Sequence, residues 1–362
     1  MHVLFIFEQT ILCRYKFSFS IIYVIVLIHM FCSDCIFAYG VPCTLFSAAI
    51  ILISNLLIVL IRLIYYASGG TILRLCEEAG RIAGTKWSRG PVALVGASKT
   101  HFRQPIHVGE VATVDASVDY VSRHAIRVGM TVQAENMETG HKRLTNTASM
   151  WYSTVDIDSD SHTMAVGSRE LHPLHPAQVA PDAAEEHAYL ASARAKIPLH
   201  SREEDEFPVV LADLPESDAI AEYPFITAGY VLKLMDSGAA LAAVSHARDN
   251  CVTVLLDKVC FHTPITAGDL CTVRAGVTFT STRSLEVVVQ VWKSPSGIVG
   301  GLCKDEDTAP ACAVEARFVF VALGSDGKVA DVPQLPEELR TKRWDVGAAK
   351  HAERQYEKHR EE

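Results

Sequence analysis

This chain repeats itself, and the repeat constrains its fold more than any other feature. Phe102-Arg-Gln-Pro-Ile-His-Val-Gly-Glu-Val-Ala-Thr-Val-Asp-Ala116 aligns without a gap to Phe261-His-Thr-Pro-Ile-Thr-Ala-Gly-Asp-Leu-Cys-Thr-Val-Arg-Ala275, at an offset of 159 residues. The same offset pairs Gly70 with Gly229, Leu73 with Leu232, Ala83 with Ala242, Ser122 with Ser281 and Val128 with Val287. A register kept over this distance means two copies of one domain, because a repeat unit is the smallest piece that folds around a common core.

Each copy has the same grammar. A glycine-containing turn leads into a helix: Gly69-Gly-Thr-Ile-Leu-Arg-Leu-Cys-Glu-Glu-Ala-Gly80 in the first, Ala228-Gly-Tyr-Val-Leu-Lys-Leu-Met-Asp-Ser-Gly-Ala-Ala240 in the second. Apolar residues recur there at helical spacing. β-rich runs follow at Val92–Phe102, Ala112–Val121, Ala125–Glu135 and Leu144–Val155, then at Val252–Phe261, Leu270–Thr280, Leu285–Trp292 and Ala311–Leu323. One helix with several long antiparallel strands predicts an α+β domain whose helix covers one sheet face. The expected organisation is an apolar segment at 1–68, domain 1 at 69–156 with its first strand missing or replaced, a linker at 157–222, domain 2 at 223–330 and a charged, solvated helical tail at 331–362. Pro181–Arg194 reads as a short acidic helix within the linker.

Charge is distributed unevenly. The chain carries a net charge of −9, which argues against phosphate-backbone binding, so no nucleic-acid partner is expected. Residues 1–68 contribute only Glu8, Arg14, Lys16, Asp34 and Arg62 to that balance. The uncharged stretches within 17–61 approach the roughly 20 apolar residues that cross a bilayer. Two readings of this front end stand side by side: a membrane anchor, or a gene-model artefact, since its Phe, Ile, Leu, Tyr and Ser codons resemble translated intron. Membrane association follows only from the first; the main body is expected to be cytoplasmic. Cys32-Ser-Asp-Cys35 is a lone C-x-x-C without a partner pair, and no spacing in the chain predicts a metal or a cofactor.

Two features carry chemistry. The helix entries at Gly69-Gly70 and Ala228-Gly229 present unpaired backbone N–H groups and partial positive charge, suited to a carbonyl oxygen that becomes an oxyanion. Asp236 lies on the apolar stripe of its helix, where burying an unpaired carboxylate is costly; Lys233 is the local pairing partner at helical spacing. The repeat places Glu77 at the equivalent position, with Arg74 and Arg81 at helical spacing.

These residues together resemble the tandem form of the hotdog fold, and more narrowly the cytosolic long-chain acyl-CoA hydrolases. The resemblance is carried by Gly69-Gly-Thr-Ile-Leu-Arg, Glu77-Glu-Ala-Gly80, Phe102–Glu110, Ala134-Glu-Asn-Met-Glu-Thr-Gly140, Leu144-Thr-Asn-Thr-Ala148, Lys233-Leu-Met-Asp236, Phe279-Thr-Ser-Thr-Arg-Ser-Leu-Glu-Val287 and Val332-Pro-Gln-Leu335. It implies a long helix in each copy wrapped by antiparallel sheet, and a thioesterase that converts long-chain acyl-CoA to fatty acid and CoA. It also implies Asp236 as base or nucleophile, Gly69 and Gly70 as the opposing oxyanion site, and CoA contacts near Thr280, Ser281, Arg283 and Ser284. Glu77 and Gly229 are the second-site equivalents, and a homotrimer of tandem chains is implied. The family's Asn-x-His-Gly-Gly reads Tyr66-Ala-Ser-Gly-Gly70 here, its second His-Gly-Gly reads Thr227-Ala-Gly229, and the residue after the aspartate is Ser237. Loss of the asparagine predicts weak or absent hydrolysis. The alternatives are a non-catalytic acyl-CoA-binding or assembly subunit, or a membrane-anchored scaffold.

Overall fold

The computed structural model describes residues 2–5, 67–98, 100–158, 163–167, 169–172, 174, 179, 209–213, 220–222, 225–295, 311–324, 327–340 and 342–361. The apolar stretches within 17–61, Cys32–Cys35 and Pro181–Arg194 lie outside these residues. Among the described residues no helix is long and apolar enough to cross a membrane.

The two long helices begin and end in the same way. α1 (Gly69–Ser88) is capped by Ser68, whose hydroxyl accepts the Thr71 N–H at 3.2 Å. α2 (Ala228–Ala247) is capped by Thr227, which accepts the Tyr230 N–H at 3.3 Å. A hydroxyl one residue before the helix satisfies one of its orphan donors, so Ser68 performs at the helix entry what a polar cap must. Both helices stop at a left-handed arginine, Arg89 at φ 56° and Arg248 at φ 58°, again 159 residues apart.

The first copy supplies β2 (Val92–Ala97), β3 (Thr100–Phe102), β4 (Glu110–Val121), β5 (Ala125–Asn136) and β6 (Lys142–Asp158); the second supplies β11 (Asn250–Phe261), β12 (Asp269–Thr280), β13 (Ser284–Pro295) and β14 (Ala311–Leu323). β4 alternates buried and half-buried residues over its first half, as a strand with one face on a core must, whereas β13 is buried at every position from Leu285 to Trp292. The antiparallel ladder runs β4-β5-β6-β2 and continues directly into β11-β14-β13-β12. The seam runs along β11 through β2 and β3: Gly96 opposes Cys260 and Ala97 opposes Val259, then Thr100 opposes Leu256 and His101 opposes Leu255. The result is one sheet curved around two helices that pack antiparallel. Leu73, Cys76, Leu232, Met235 and Ala239 are buried in the common core.

Three sequence expectations change. The first strand of domain 2 lies within the segment read as linker: β8 (Val209–Asp213) pairs with β12, Asp213 opposite Cys271. A five-residue strand inside an acidic, alanine- and proline-rich stretch is too short to raise a periodicity signal. The first copy also has an opening strand, β1 (His2–Phe5), paired with β4 so that Phe5 opposes Ala112. Ala112 and Cys271 are 159 apart, so both edge strands take the same register; in each case a short strand satisfies backbone groups that an open edge leaves unpaired. The linker also contributes β7 (Thr163–Val166), which pairs antiparallel with β6, and β9 (Ile220–Glu222), which pairs with β10 (Phe225–Ile226) at the start of domain 2.

The tail is helical, as α3 (Lys342–Glu361), but it is docked rather than merely solvated. Trp344 packs on Phe279 with ring centroids 4.8 Å apart, under a stacked Arg340 guanidinium at 4.2 Å. Arg354 donates to Glu286 at 3.3 Å and Lys350 pairs with Asp257. Glu286 is 1% exposed and also accepts from Arg317 at 3.0 Å. Two guanidiniums offset the cost of burying that carboxylate, which gives the charged helix a fixed seat on the outer face of β13.

Candidate active site

The antiparallel packing of α1 and α2 brings the start of each helix against the middle of the other. Gly70 stands where a side chain has no room: a Cβ there would lie 2.9 Å from the Lys233 Cα and 3.0 Å from the Asp236 Cβ. Gly229 is its counterpart, with a Cβ falling 3.2 Å from the Arg74 Cα and 2.9 Å from Oε2 of Glu77. Gly70→Val must therefore separate the helices; overpacking of this kind costs about 1–3 kcal/mol. Urea unfolding should show that loss, and a midpoint equal to that of the unaltered chain would contradict the close approach.

At the first crossing, the Gly70 N–H donates to Oδ2 of Asp236 at 2.7 Å. The Thr253 hydroxyl donates to Oδ1 at 2.8 Å. Asp236 is 4% exposed. Burial raises its pKa above the ordinary aspartate value, and the Thr253 and Gly70 bonds partly oppose that rise. The local partner that spacing suggested, Lys233, is exposed; Asp236 bonds instead to the Gly70 N–H across the helix interface and to Thr253 on β11 of its own domain. A carboxylate with raised proton affinity, fixed at both oxygens beside a helix N-terminus, is built to handle a proton next to a polarised carbonyl.

At the second crossing, Glu77 is 2% exposed and its carboxyl is pushed up to about 7, chiefly by burial, against the opposing pull of Arg81 and the Gly229 N–H. Arg81 Nε lies 3.8 Å from Oε1. Tyr152 donates its hydroxyl to the Glu77 carbonyl at 3.0 Å, which ties this turn of α1 to β6. The two crossings are thus alike in frame and different in chemistry. Thr253 corresponds in the repeat to Leu94, and Arg81 corresponds to Ala240.

Thr280, Ser281, Arg283 and Ser284 sit together at the β12–β13 turn. Ser281 and Ser284 bond each other through their hydroxyls at 2.7 Å, and the Thr280 hydroxyl accepts the Leu335 N–H at 2.9 Å. Arg283 is exposed, 3.8 Å from Asp331. The recorded bonds of these residues close the turn and pin the strand-like segment at 331–335; none of those bonds reaches Asp236. Sequence reasoning had no place for Thr253. Its signal was there in the repeat, as a hydroxyl at an inward position where the first copy keeps leucine.

Comparison with known proteins decides the family. The Thioesterase superfamily matches at residues 66–141 and again at 224–299. A human cytosolic acyl coenzyme A thioester hydrolase is 30% identical over 305 residues, 78% of this chain and 77% of that protein. The chain belongs to the thioesterase superfamily. As a superfamily member it carries two tandem hotdog domains in an antiparallel sheet, which agrees with the fold expected from the repeat. A second human protein, described as a putative cytosolic acyl coenzyme A thioester hydrolase-like protein, is 27% identical over 60% of this chain and 92% of its own length. Among solved structures, an acyl-CoA hydrolase from Staphylococcus aureus in complex with butyryl coenzyme A and coenzyme A is 26% identical, covering 42% of this chain and 88% of that one at a TM-score of 0.35.

Proposed function

We propose that this chain hydrolyses long-chain acyl-CoA to a free fatty acid and CoA at the crossing of α1 with Asp236. The observation that carries this reading is the Gly70 N–H bond that fixes Asp236 against the start of α1 from the other domain, while Thr253 holds its second oxygen. When substrate enters, the thioester carbonyl takes the Gly70 N–H, with Gly69 leaving the approach open. The freed Asp236 oxygen then takes a proton from a water that attacks the carbonyl, the C–S bond breaks and the proton passes to the departing CoA thiolate. Alternatively the carboxylate attacks the carbonyl itself, expelling the thiolate and leaving an acyl anhydride; water hydrolyses this to the fatty acid and free Asp236, and a proton from that water converts the thiolate to the thiol. Polarisation by the helix start stabilises the oxyanion that forms in between. The asparagine donor that accompanies this arrangement in the family is replaced at Tyr66, so turnover is slow, by about 10²–10³ for one missing donor.

Arg283, exposed at the β12–β13 turn, is the group to meet a CoA phosphate, since a guanidinium recognises phosphate oxygens in pairs. The hydroxyls of Thr280, Ser281 and Ser284 shape that turn. That relatives are named cytosolic supports a cytoplasmic site of action, and a trimer of tandem chains is the assembly this reading carries. The substitution of the asparagine and histidine before α1 favours a second reading, a chain that binds acyl-CoA without turnover.

Release of thiol from palmitoyl-CoA by the full-length chain separates the two. Slow release that scales with enzyme is the expected result; CoA binding with no release at any acyl length would overturn the first reading in favour of the second. Thr253→Val keeps the side-chain shape and removes the bond that orients Asp236. It should lower kcat about 10-fold, in line with one lost hydrogen bond to a charged group, with KM little changed. A kcat equal to that of the unaltered enzyme would remove Thr253 from the site.

A further inference from the structure

The charged tail meets the Asp236 crossing through one strand. β11 carries Thr253, which bonds Asp236, and further along Asp257, which pairs with Lys350 of α3 and lies 4.0 Å from Arg354. The β11–β14 ladder changes register between Leu256 and Lys258. Asp257 is therefore the extra residue of a bulge, where pairing is locally lost and the strand bends. Another shift falls between Thr253 and Leu255. The first copy shares that one, between Leu94 and Gly96, but differs at the Asp257 bulge. There one strand stops at Ala97 and the next starts at Thr100, with Ser98 at the position of Asp257. Where the first copy breaks, the second stays a single strand of 12 residues, and the cations of α3 lie on the residue where the break would fall.

The same stretch holds the domains together. Leu255 and Leu256 oppose His101 and Thr100, and Val259 and Cys260 oppose Ala97 and Gly96, so Asp257 lies between the two halves of the seam. α3 sits close enough to pin it. A Cβ at Gly347 would lie 2.5 Å from the Phe279 Cβ and 3.2 Å from Oε1 of Glu286, so the helix rests on the sheet there without a gap. Asp257 is 9% exposed, and taking a cation away from so buried a carboxylate leaves its charge uncompensated. An acid that acts on a bound substrate tolerates little misplacement, since a shift of about 1 Å can cost 10²-fold in rate. A bulged strand left unpinned beside Thr253 does not keep that tolerance.

We propose that Lys350 and Arg354 are positioning residues: from the C-terminal helix they fix the Asp257 bulge of β11 and so hold Thr253 on Asp236. The expected loss of turnover rests on hydrolysis at Asp236; the placement of Thr253 does not.

Two variants of the full-length chain disturb the seat of α3 by different means. Lys350→Met removes the charge over Asp257, and Gly347→Leu puts a side chain where there is no room. Each should lower kcat for thiol release from palmitoyl-CoA by about 3- to 10-fold with KM little changed, and Lys350→Arg should keep the rate of the unaltered chain. Because both act through Thr253, adding Thr253→Val to either should slow turnover no further than Thr253→Val alone, the non-additivity of residues in one network. Amide hydrogen exchange, resolved to single residues, reads the same crossing without turnover. The Gly70 N–H, bonded to Asp236, should exchange faster in both variants, toward its rate in Thr253→Val. Melting temperatures confirm that each variant is folded. An unchanged Gly70 exchange rate in both folded variants, or a loss of kcat that multiplies with that of Thr253→Val, would overturn the assignment. If the unaltered chain releases no thiol, Gly70 exchange still decides the placement, and only hydrolysis at Asp236 fails.

Discussion

Asp236→Asn lowers kcat for thiol release from palmitoyl-CoA by about 10²–10⁴-fold, the usual weight of a positioned general base. The amide keeps the size of the carboxylate and an oxygen for the Gly70 N–H, so the helix crossing stays closed and KM changes little. Burial without a neighbouring cation makes the charged aspartate costly in the folded chain, hence the variant is at least as stable at neutral pH and the lost rate is not lost fold. The pH dependence follows from the direction of the shift. Asp236 works as a base only when deprotonated, and burial raises its pKa. The acid limb of kcat/KM should therefore lie above the ordinary carboxylate range, with activity rising as pH climbs through it, and the limb should vanish in the variant. A variant within a few-fold of the unaltered rate would take Asp236 out of the mechanism.

Glu77→Gln stabilises the protein at pH 8 and does little at pH 4. The carboxyl titrates at about 7 in the folded chain against a reference value of 4.5. The folded state thus holds its proton more tightly than the unfolded state. Between those values the folded chain binds more protons, so stability falls as pH rises across the window and the full penalty stands above it. For a fully buried group a shift of this size corresponds to about 3 kcal/mol. The glutamine carries no such penalty and retains an acceptor for the Gly229 N–H; Arg81, partly exposed, is left to solvent. Chemical denaturation at the two pH values reads the difference. An equal gain at both would assign the effect to packing and not to the proton.

The repeat made much of the architecture legible, because an offset of 159 that survives through helix, turn and strand specifies two equal domains. It also made Asp236 and Glu77 stand out, as acids on apolar helical stripes. Edge strands were not legible. Val209–Asp213 and His2–Phe5 are five and four residues long, and pairing with β12 and β4 decides them rather than any local period. Nor was the docking of α3 legible: its residues look fully solvated until Glu286 and Asp257, far away in sequence, are placed beneath Arg354 and Lys350. Thr253 escaped notice for a related reason, since a threonine in a strand is ordinary until the carboxylate it faces is known.

The peptide chain between the two copies joins covalently what would otherwise be two separate subunits, and that union changes how each crossing responds to dilution and to mutation. Each site needs the acid of one half and the helix start of the other. Because both are in one chain, their encounter is intramolecular and does not weaken as the protein is diluted. In an association of identical subunits a single substitution would appear at both crossings at once. Here Leu94 and Arg81 stand at one crossing and Thr253 and Ala240 at the other, so a substitution in the duplicated chain changes one crossing and leaves the other untouched.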